Sequence, residues 1–229
     1  MDKIKIIAFD ADDTLWVNEP NFQEVESKFC ELMEDYLSHH HISQELFKTE
    51  MSNLALYGFG VKSFMLSMIE TAIRISDGTI NLQVIDKIIK LGKELLEKPI
   101  ELLDGVKEVL NALHGKYTLV VATKGDLLDQ ERKLEKSKLG GHFHHIEIMS
   151  DKKESDYLKL LKHLEIEPES FLMIGNSIKS DVMPVLNIGG YAIHVPYHTT
   201  WVHEHVDHEI SHERFSVAEN IQEVLSILN

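Results

Sequence analysis

Five short apolar runs limit this chain to one kind of sheet. They are Ile4 to Phe9, Tyr117 to Ala122, Ile146 to Ile148, Phe171 to Ile174 and Tyr191 to Val195. Each is too short for a helix and each holds a β-branched residue, the pattern of buried strands, although Glu147 interrupts the third. Helical spacing follows each run, as in Val106, Val109, Leu110 and Leu113, or Tyr157, Leu158, Leu161 and Leu164. Strands alternating with helices of this length build a parallel sheet covered by helices on both sides.

One long interruption breaks the alternation. Phe22, Val25, Phe29, Leu32, Met33 and Tyr36 recur at three- and four-residue steps, which predicts an amphipathic helix. A second helix is expected from Ser43, as its cap, to about Leu56. Tyr57-Gly58-Phe59-Gly60 breaks it. A third then runs through Phe64, Met68, Ala72 and Ile75, and a fourth from Leu82 to about Leu96. The sequence therefore predicts an α/β, Rossmann-like parallel-sheet core over residues 1–17 and 100–229, with an α-helical domain, residues 18–99, inserted after the first strand.

The first strand ends abruptly in Asp10-Ala-Asp12-Asp13-Thr14, three carboxylates in four positions. Like charges this close repel unless a cation or a shared proton intervenes. Ligands of open α/β sheets bind at the carboxyl ends of the strands. The same edge gathers Thr123, Lys152 or Lys153, and Asn176 with Asp181 from later strands. The alternative for each acid, a turn or helix-cap residue, suits Asp13 but leaves the crowding of Asp10 and Asp12 unexplained.

Composition narrows the chemistry. A net charge of −15 argues against a nucleic-acid binder, whose affinity rests on Lys and Arg. The single cysteine, Cys30, permits no internal disulfide and suits a reducing compartment. The opening apolar run of about five residues is too short for a signal peptide, and nothing approaches the ~20 apolar residues of a membrane span. The expectation is a cytoplasmic protein acting on a small molecule, without nucleic-acid or membrane partners.

Paired aspartates at a strand end suit phosphoryl transfer. Asp10 would attack phosphorus, and Asp12 would protonate the leaving oxygen and later accept a proton from water. That role needs Asp12 partly protonated, which its like-charged neighbours favour. Mg²⁺ takes hard oxygen ligands, commonly one or two carboxylates with phosphate. Asp10 and Asp181 are the charged candidates for it. Thr123 can donate to a phosphoryl oxygen, and a lysine near 152 can neutralise it.

These residues resemble the four motifs of the haloacid dehalogenase superfamily. Asp10-Ala-Asp12-Asp-Thr14 resembles the first, Thr123 the second and Lys152 the third. Gly175-Asn176-Ser177-Ile-Lys-Ser180-Asp181 resembles the fourth except at Asn176, where the family pattern has aspartate. The resemblance implies that Asp10 is nucleophile and Mg²⁺ ligand, and that Asp12 is acid/base and lends its backbone carbonyl to the metal. Thr123 and Lys152 would hold the phosphoryl group, with Asn176 and Asp181 completing the metal site. Lys152 is preferred to Lys153 by its distance from the strand. The inserted helices would form a mobile cap, and Lys62, after Gly58-Phe59-Gly60, would contact the leaving group.

The leading expectation is a Mg²⁺-dependent phosphatase working through an aspartyl-phosphate. A mutase of β-phosphoglucomutase type would keep both aspartates. A dehalogenase would not need Asp12, and a phosphonatase would need a cap lysine such as Lys48 or Lys62. A non-catalytic binding member has only Asn176 in its favour. His198, His203, His205, His208 and His212 read as a polar surface loop rather than a zinc site, which would want defined spacing and usually cysteines.

Overall fold

The computed structural model describes residues 3–204, 206 and 210–228. Its six strands are β1 (Ile6–Phe9), β2 (Thr118–Lys124), β3 (His145–Met149), β4 (Phe171–Gly175), β5 (Tyr191–His194) and β6 (Phe215–Val217). All pair in parallel, in the order β3-β2-β1-β4-β5-β6. From β1 the chain moves outward to β2 and β3, then returns to lay β4 against the other flank of β1. The carboxyl ends of β1 and β4 therefore border a topological switch point, where open α/β sheets bind ligands. Phe9 stands in register with Val121 of β2 and Ile174 of β4, so three strands end together there.

Alternation along each strand sorts the core into two layers. Ile7, Phe9, Val121, Leu172 and Ile174 pack with α5 (Val106–Leu113), α6 (Leu127–Ser137) and α9 (Val224–Leu228). Ile6, Ala8, Val120, Phe171 and Met173 face the other way, toward α7 (Glu154–His163) and α8 (Met183–Asn187). Both faces are dry, which is why these strands read as unbroken apolar runs. β6 was not expected from the sequence. It is three residues long, incompletely buried and bonded only to β5, so no apolar run marks it.

Two compact units make up the chain. One comprises Met1–Glu19, Ile100–Lys124 and Gln130–Asn229, the other Pro20–Pro99 and Gly125–Asp129. The second contains α1 (Glu19–Met33) from Pro20 onward, α2 (His39–Tyr57), α3 (Val61–Ile75) and α4 (Leu82–Glu97). Val25, Phe29 and Met33 of α1 meet Ile42 and Leu46 of α2, Phe64, Met68 and Ala72 of α3, and Ile88 and Leu95 of α4. Gly92 lets α4 approach α3 closely, since a Cβ there would sit 2.7 Å from Met65 Sδ. Helix α2 starts four residues earlier than expected. Ser43 does not cap it; its hydroxyl donates to Glu26 at 2.5 Å. Ile42 is fully buried on the same face as Leu46, so the helix must already be formed before Ser43.

Among the described residues no helix is long and apolar enough to cross a membrane. Leu46→Ala should destabilise the protein by about 2–5 kcal/mol, since it opens a cavity in the helical core. Leu82→Ala, at a position 82% exposed, should stay within about 0.5 kcal/mol of wild type. Urea unfolding followed by circular dichroism checks both.

Candidate active site

Asp10 follows β1 directly, and its backbone N–H donates to Ile174 O of β4 at 2.9 Å. The chain then turns sharply, with Leu15 N donating to Ala11 O at 2.8 Å. That turn returns Thr14 beneath Asp10, where its hydroxyl lies 3.2 Å from Asp10 Oδ2 and 3.3 Å from Asn176 Oδ1. A hydroxyl has one proton, so it donates to one of these at a time. Its own acceptor site is filled by Asn176 N at 3.1 Å. The first and fourth motif segments are thus stitched together through one buried threonine.

Lys152, 3% exposed, lies after β3 and reaches back to the same point. Its ammonium donates to Asp10 Oδ1 and, at 2.6 Å, to Asp181 Oδ1. Ser177 N donates to Asp181 Oδ2 at 3.0 Å. A Cβ on Gly175 would collide with the Asp181 carboxylate, so glycine is required there on steric grounds. Burial raises Asp10 above the ordinary carboxylate range and the Asp181 charge adds to it, against the pull of Lys152. Burial lowers Lys152, but Asp10 and Asp181 outweigh it and hold the ammonium above its usual value. Lys153 instead points outward and pairs with Asp151 at 2.9 Å. Of the two lysines, the structure brings Lys152 to Asp10.

Asp12 has a different set of partners. Trp16 Nε1 donates to its Oδ1 at 2.7 Å and Gln130 Nε2 to its Oδ2 at 2.8 Å. Lys133 Nζ lies 2.9 and 3.1 Å from the two oxygens, and also 2.8 Å from Asn18 Oδ1. The sequence showed only like-charged neighbours for Asp12; the structure adds donors. Three donors, two of them from α6, surround its carboxylate. Sequence reasoning missed Gln130 and Lys133, although their i,i+3 spacing on the helix after Thr123 puts both on one face.

The remaining expected residues are placed as follows. Thr123 is buried near the end of β2, and its hydroxyl makes a long contact, 3.5 Å, with Lys124 O. Lys62 belongs to the helical unit, where it is half-exposed and pairs with Asp126 of that unit at 2.8 Å. Lys124 was not anticipated. Its ammonium contacts Glu204 and, at 2.9 Å, Ser180 Oγ. Glu204 also accepts from Ser177 Oγ and from Ser180 Oγ at 2.7 Å, tying the turn Val202–Glu204 to the fourth-motif loop. Burial alone would raise Glu204, but Lys124 and the two serines take it down to about 2.

Of the histidines, His203 engages Lys179, His212 accepts from Arg214 N and His198 lies on Tyr197. His205 and His208 lie outside the described residues. Among the described residues no three His, Cys, Asp or Glu side chains form a set able to hold a metal. The oxygen donors at the switch point are two carboxylates, Asp10 and Asp181, with the amide oxygen of Asn176.

A family model for haloacid dehalogenase-like hydrolases matches residues 4–189. A search of curated proteins found no match. Among solved structures, a haloacid dehalogenase-like family hydrolase from Xanthomonas campestris is 35% identical. The match covers 99% of this chain and 91% of that one, with a TM-score of 0.89. A predicted phosphoglycolate phosphatase from Haemophilus somnus is 15% identical over 99% of both chains, at a TM-score of 0.65. A 2-haloacid dehalogenase from Pseudomonas syringae is also 15% identical, over 98% of both chains, at 0.66. These last two show the fold alone.

The third acid of the first motif has a local role. Asp13 adopts a positive φ of 61° and accepts from Asn18 N at 2.8 Å and Glu19 N at 2.9 Å, holding the start of α1. Burial raises it from 3.8 to about 7, although those two N–H groups favour the charged form. Between these values the folded protein binds more protons than the unfolded one. The contribution of Asp13 to stability is therefore full below about pH 4 and is lost as pH rises through about 7. Asp13→Asn keeps an acceptor and tolerates the positive φ, so it should remove this fall, seen as thermal midpoints compared at pH 5 and pH 8. Asp13→Ala should cost about 0.5–2 kcal/mol through the lost cap.

Proposed function

The chain belongs to the haloacid dehalogenase-like hydrolases, and from that premise we propose that it is a Mg²⁺-dependent phosphatase of small phosphate monoesters. The observation that carries this reading is the pair Asp10 and Asp12. One is buried against Lys152 at the switch point, and the other stands two residues on with its own donors. A dehalogenase also uses an aspartate nucleophile, but a departing halide needs no proton and would leave Asp12 without a task.

In the proposed reaction an Asp10 carboxylate oxygen attacks phosphorus and the bond to the ester oxygen breaks. Asp12 gives that oxygen its proton, releasing the alcohol. Water then attacks the phosphorus of the aspartyl-phosphate while Asp12 takes its proton, and phosphate leaves Asp10 as a free carboxylate. Lys152 holds a phosphoryl oxygen, and Thr123, near the β2 end, would donate to another.

Asp10, Asp181, Asn176 and the Asp12 carbonyl would hold Mg²⁺, since all offer hard oxygens and one or two carboxylates suit this ion. When bound, it would neutralise phosphate charge and polarise the phosphorus–oxygen bond. The substrate is taken to be a small molecule, because a chain of net charge −15 is a poor binder of nucleic acid. Cys30, buried and unpaired with another cysteine, supports a cytoplasmic location.

The purified protein should hydrolyse p-nitrophenyl phosphate with Mg²⁺, and Asp10→Asn should lower kcat by roughly three orders of magnitude or more. No turnover at any Mg²⁺ concentration would overturn the reading, and an isomeric sugar phosphate in place of free phosphate would favour a mutase. Asn176→Asp adds a full charge to the proposed metal ligands. It should lower the Mg²⁺ concentration for half-maximal activity by roughly tenfold, measured by metal titration of initial rates.

A further inference from the structure

Two of the hydrogen-bond sets at the carboxyl edge of the sheet share no side chain. One joins Asp10, Thr14, Lys152, Asn176 and Asp181. The other joins Asp12, Trp16, Gln130, Lys133 and Asn18. The second set saturates Asp12. A carboxylate offers about four acceptor positions, two on each oxygen. Oδ1 takes Trp16 Nε1 and Lys133 Nζ; Oδ2 takes Gln130 Nε2 and Lys133 Nζ. With these four bonds in place every acceptor position of the carboxylate is taken, although the side chain is 22% exposed.

Gln130 shows that this arrangement has not met all its bonding needs. It is 4% exposed, and its Nε2 donates to both Asp12 Oδ2 and, at 3.0 Å, the Lys124 carbonyl. Both partners are acceptors, so the amide cannot flip. Its Oε1 is consequently buried without a hydrogen-bond partner, alone in this among the side chains of the described residues. A buried unpaired acceptor is a standing cost, relieved when the side chain moves or a donor arrives.

Resting on the phosphatase reading, we propose that Lys133 and Gln130 are positioning residues that hold Asp12 withdrawn between turnovers and release it when a phosphate ester is bound. Trp16 is the third point of attachment and reports on the state. The competing account makes the Lys133–Asp12 pair a brace fixing α6 to the loop after β1, with no part in turnover.

Leaving-group dependence separates the two. kcat/KM covers the steps through the first bond cleavage, and phenyl phosphate needs a proton on its leaving oxygen far more than p-nitrophenyl phosphate does. Lys133→Met removes two of the four bonds on Asp12. The ratio of kcat/KM for phenyl over p-nitrophenyl phosphate should therefore rise by about threefold or more, and Lys133→Arg should keep the wild-type ratio. Gln130→Leu should move the ratio in the same direction and serves if Lys133→Met does not fold. An unchanged or lower ratio in the folded variants makes the pair a brace and overturns the proposal.

A second measurement does not depend on turnover. The chain has two tryptophans, so Trp201→Phe assigns the indole N–H resonance of Trp16 in ¹⁵N-labelled protein. Mg²⁺ with orthovanadate should shift that resonance as its acceptor departs. A resonance that stays put while vanadate inhibits the enzyme also overturns the proposal. Failure of the wild type to hydrolyse either ester is a different result, overturning the phosphatase reading and this role with it.

Discussion

One ammonium group, that of Lys152, is the point on which the site depends. It is buried between Asp10 and Asp181 and draws together the chain after β3, after β1 and after β4. Burying ions is expensive, and the expense is recovered only where opposite charges meet in good geometry with their remaining hydrogen bonds satisfied. Here the satisfaction is nearly complete: Thr14 serves the second oxygen of Asp10 and Ser177 N the second oxygen of Asp181. Gly175 makes the approach possible by having no side chain in the way of Asp181. Burial drives Asp10 upward, and the negative charge left over when two carboxylates face one ammonium adds to it.

Three acids crowded after one strand are an electrostatic problem, and the fold solves it by giving each acid different donors. Asp10 takes Lys152 and Thr14 from inside the site. Asp12 is served by Trp16 and by Gln130 and Lys133 on α6, and Asp13 by two backbone N–H groups at the start of α1. The separation follows from the turn itself. Ala11 O receives the N–H of Leu15, and the positive φ at Asp13 swings the third carboxylate away from the first.

The core strands were legible in the sequence because both faces of the sheet are dry, which leaves unbroken apolar runs. β6 was not, being an edge strand whose residues stay partly wet. Asp10 stood out because turn and cap roles leave its crowding with Asp12 unexplained, and Asp181 because its spacing from Gly175 resembles the fourth motif. Lys152 and Lys153 are neighbours of one type, and only the path of the chain after β3 decides which is buried. Gln130 and Lys133 were hidden in Asp-Gln-Glu-Arg-Lys-Leu-Glu-Lys, a stretch whose composition is that of a solvated helix face. Their role comes from tertiary placement, which charge patterning along one helix does not encode. Ser43 misled for a related reason: a good capping residue was read locally, while the burial of Ile42 set the true start of α2.

Three lysines at the carboxyl edge are committed to carboxylates. Lys152 serves two, Lys133 serves Asp12 and Lys124 serves Glu204. An anionic substrate approaching a chain of net charge −15 therefore meets cations that are already paired. On the phosphatase reading, a phosphate held by Lys152 has to take that lysine from a carboxylate. Removing one partner from a buried pair leaves the other uncompensated, so such an exchange is favourable only if the displaced carboxylate finds another positive group. Asp10 and Asp181 would find it in a shared divalent cation. This ties the need for metal to the pairing of Lys152 and not merely to the charge of the substrate. Asp12 differs, because it would give up Lys133 without such a replacement. That pair is also the less buried one, with side chains 14% and 22% exposed, so water can take up the freed groups, and the exchange is the one most sensitive to the chemistry of the leaving group.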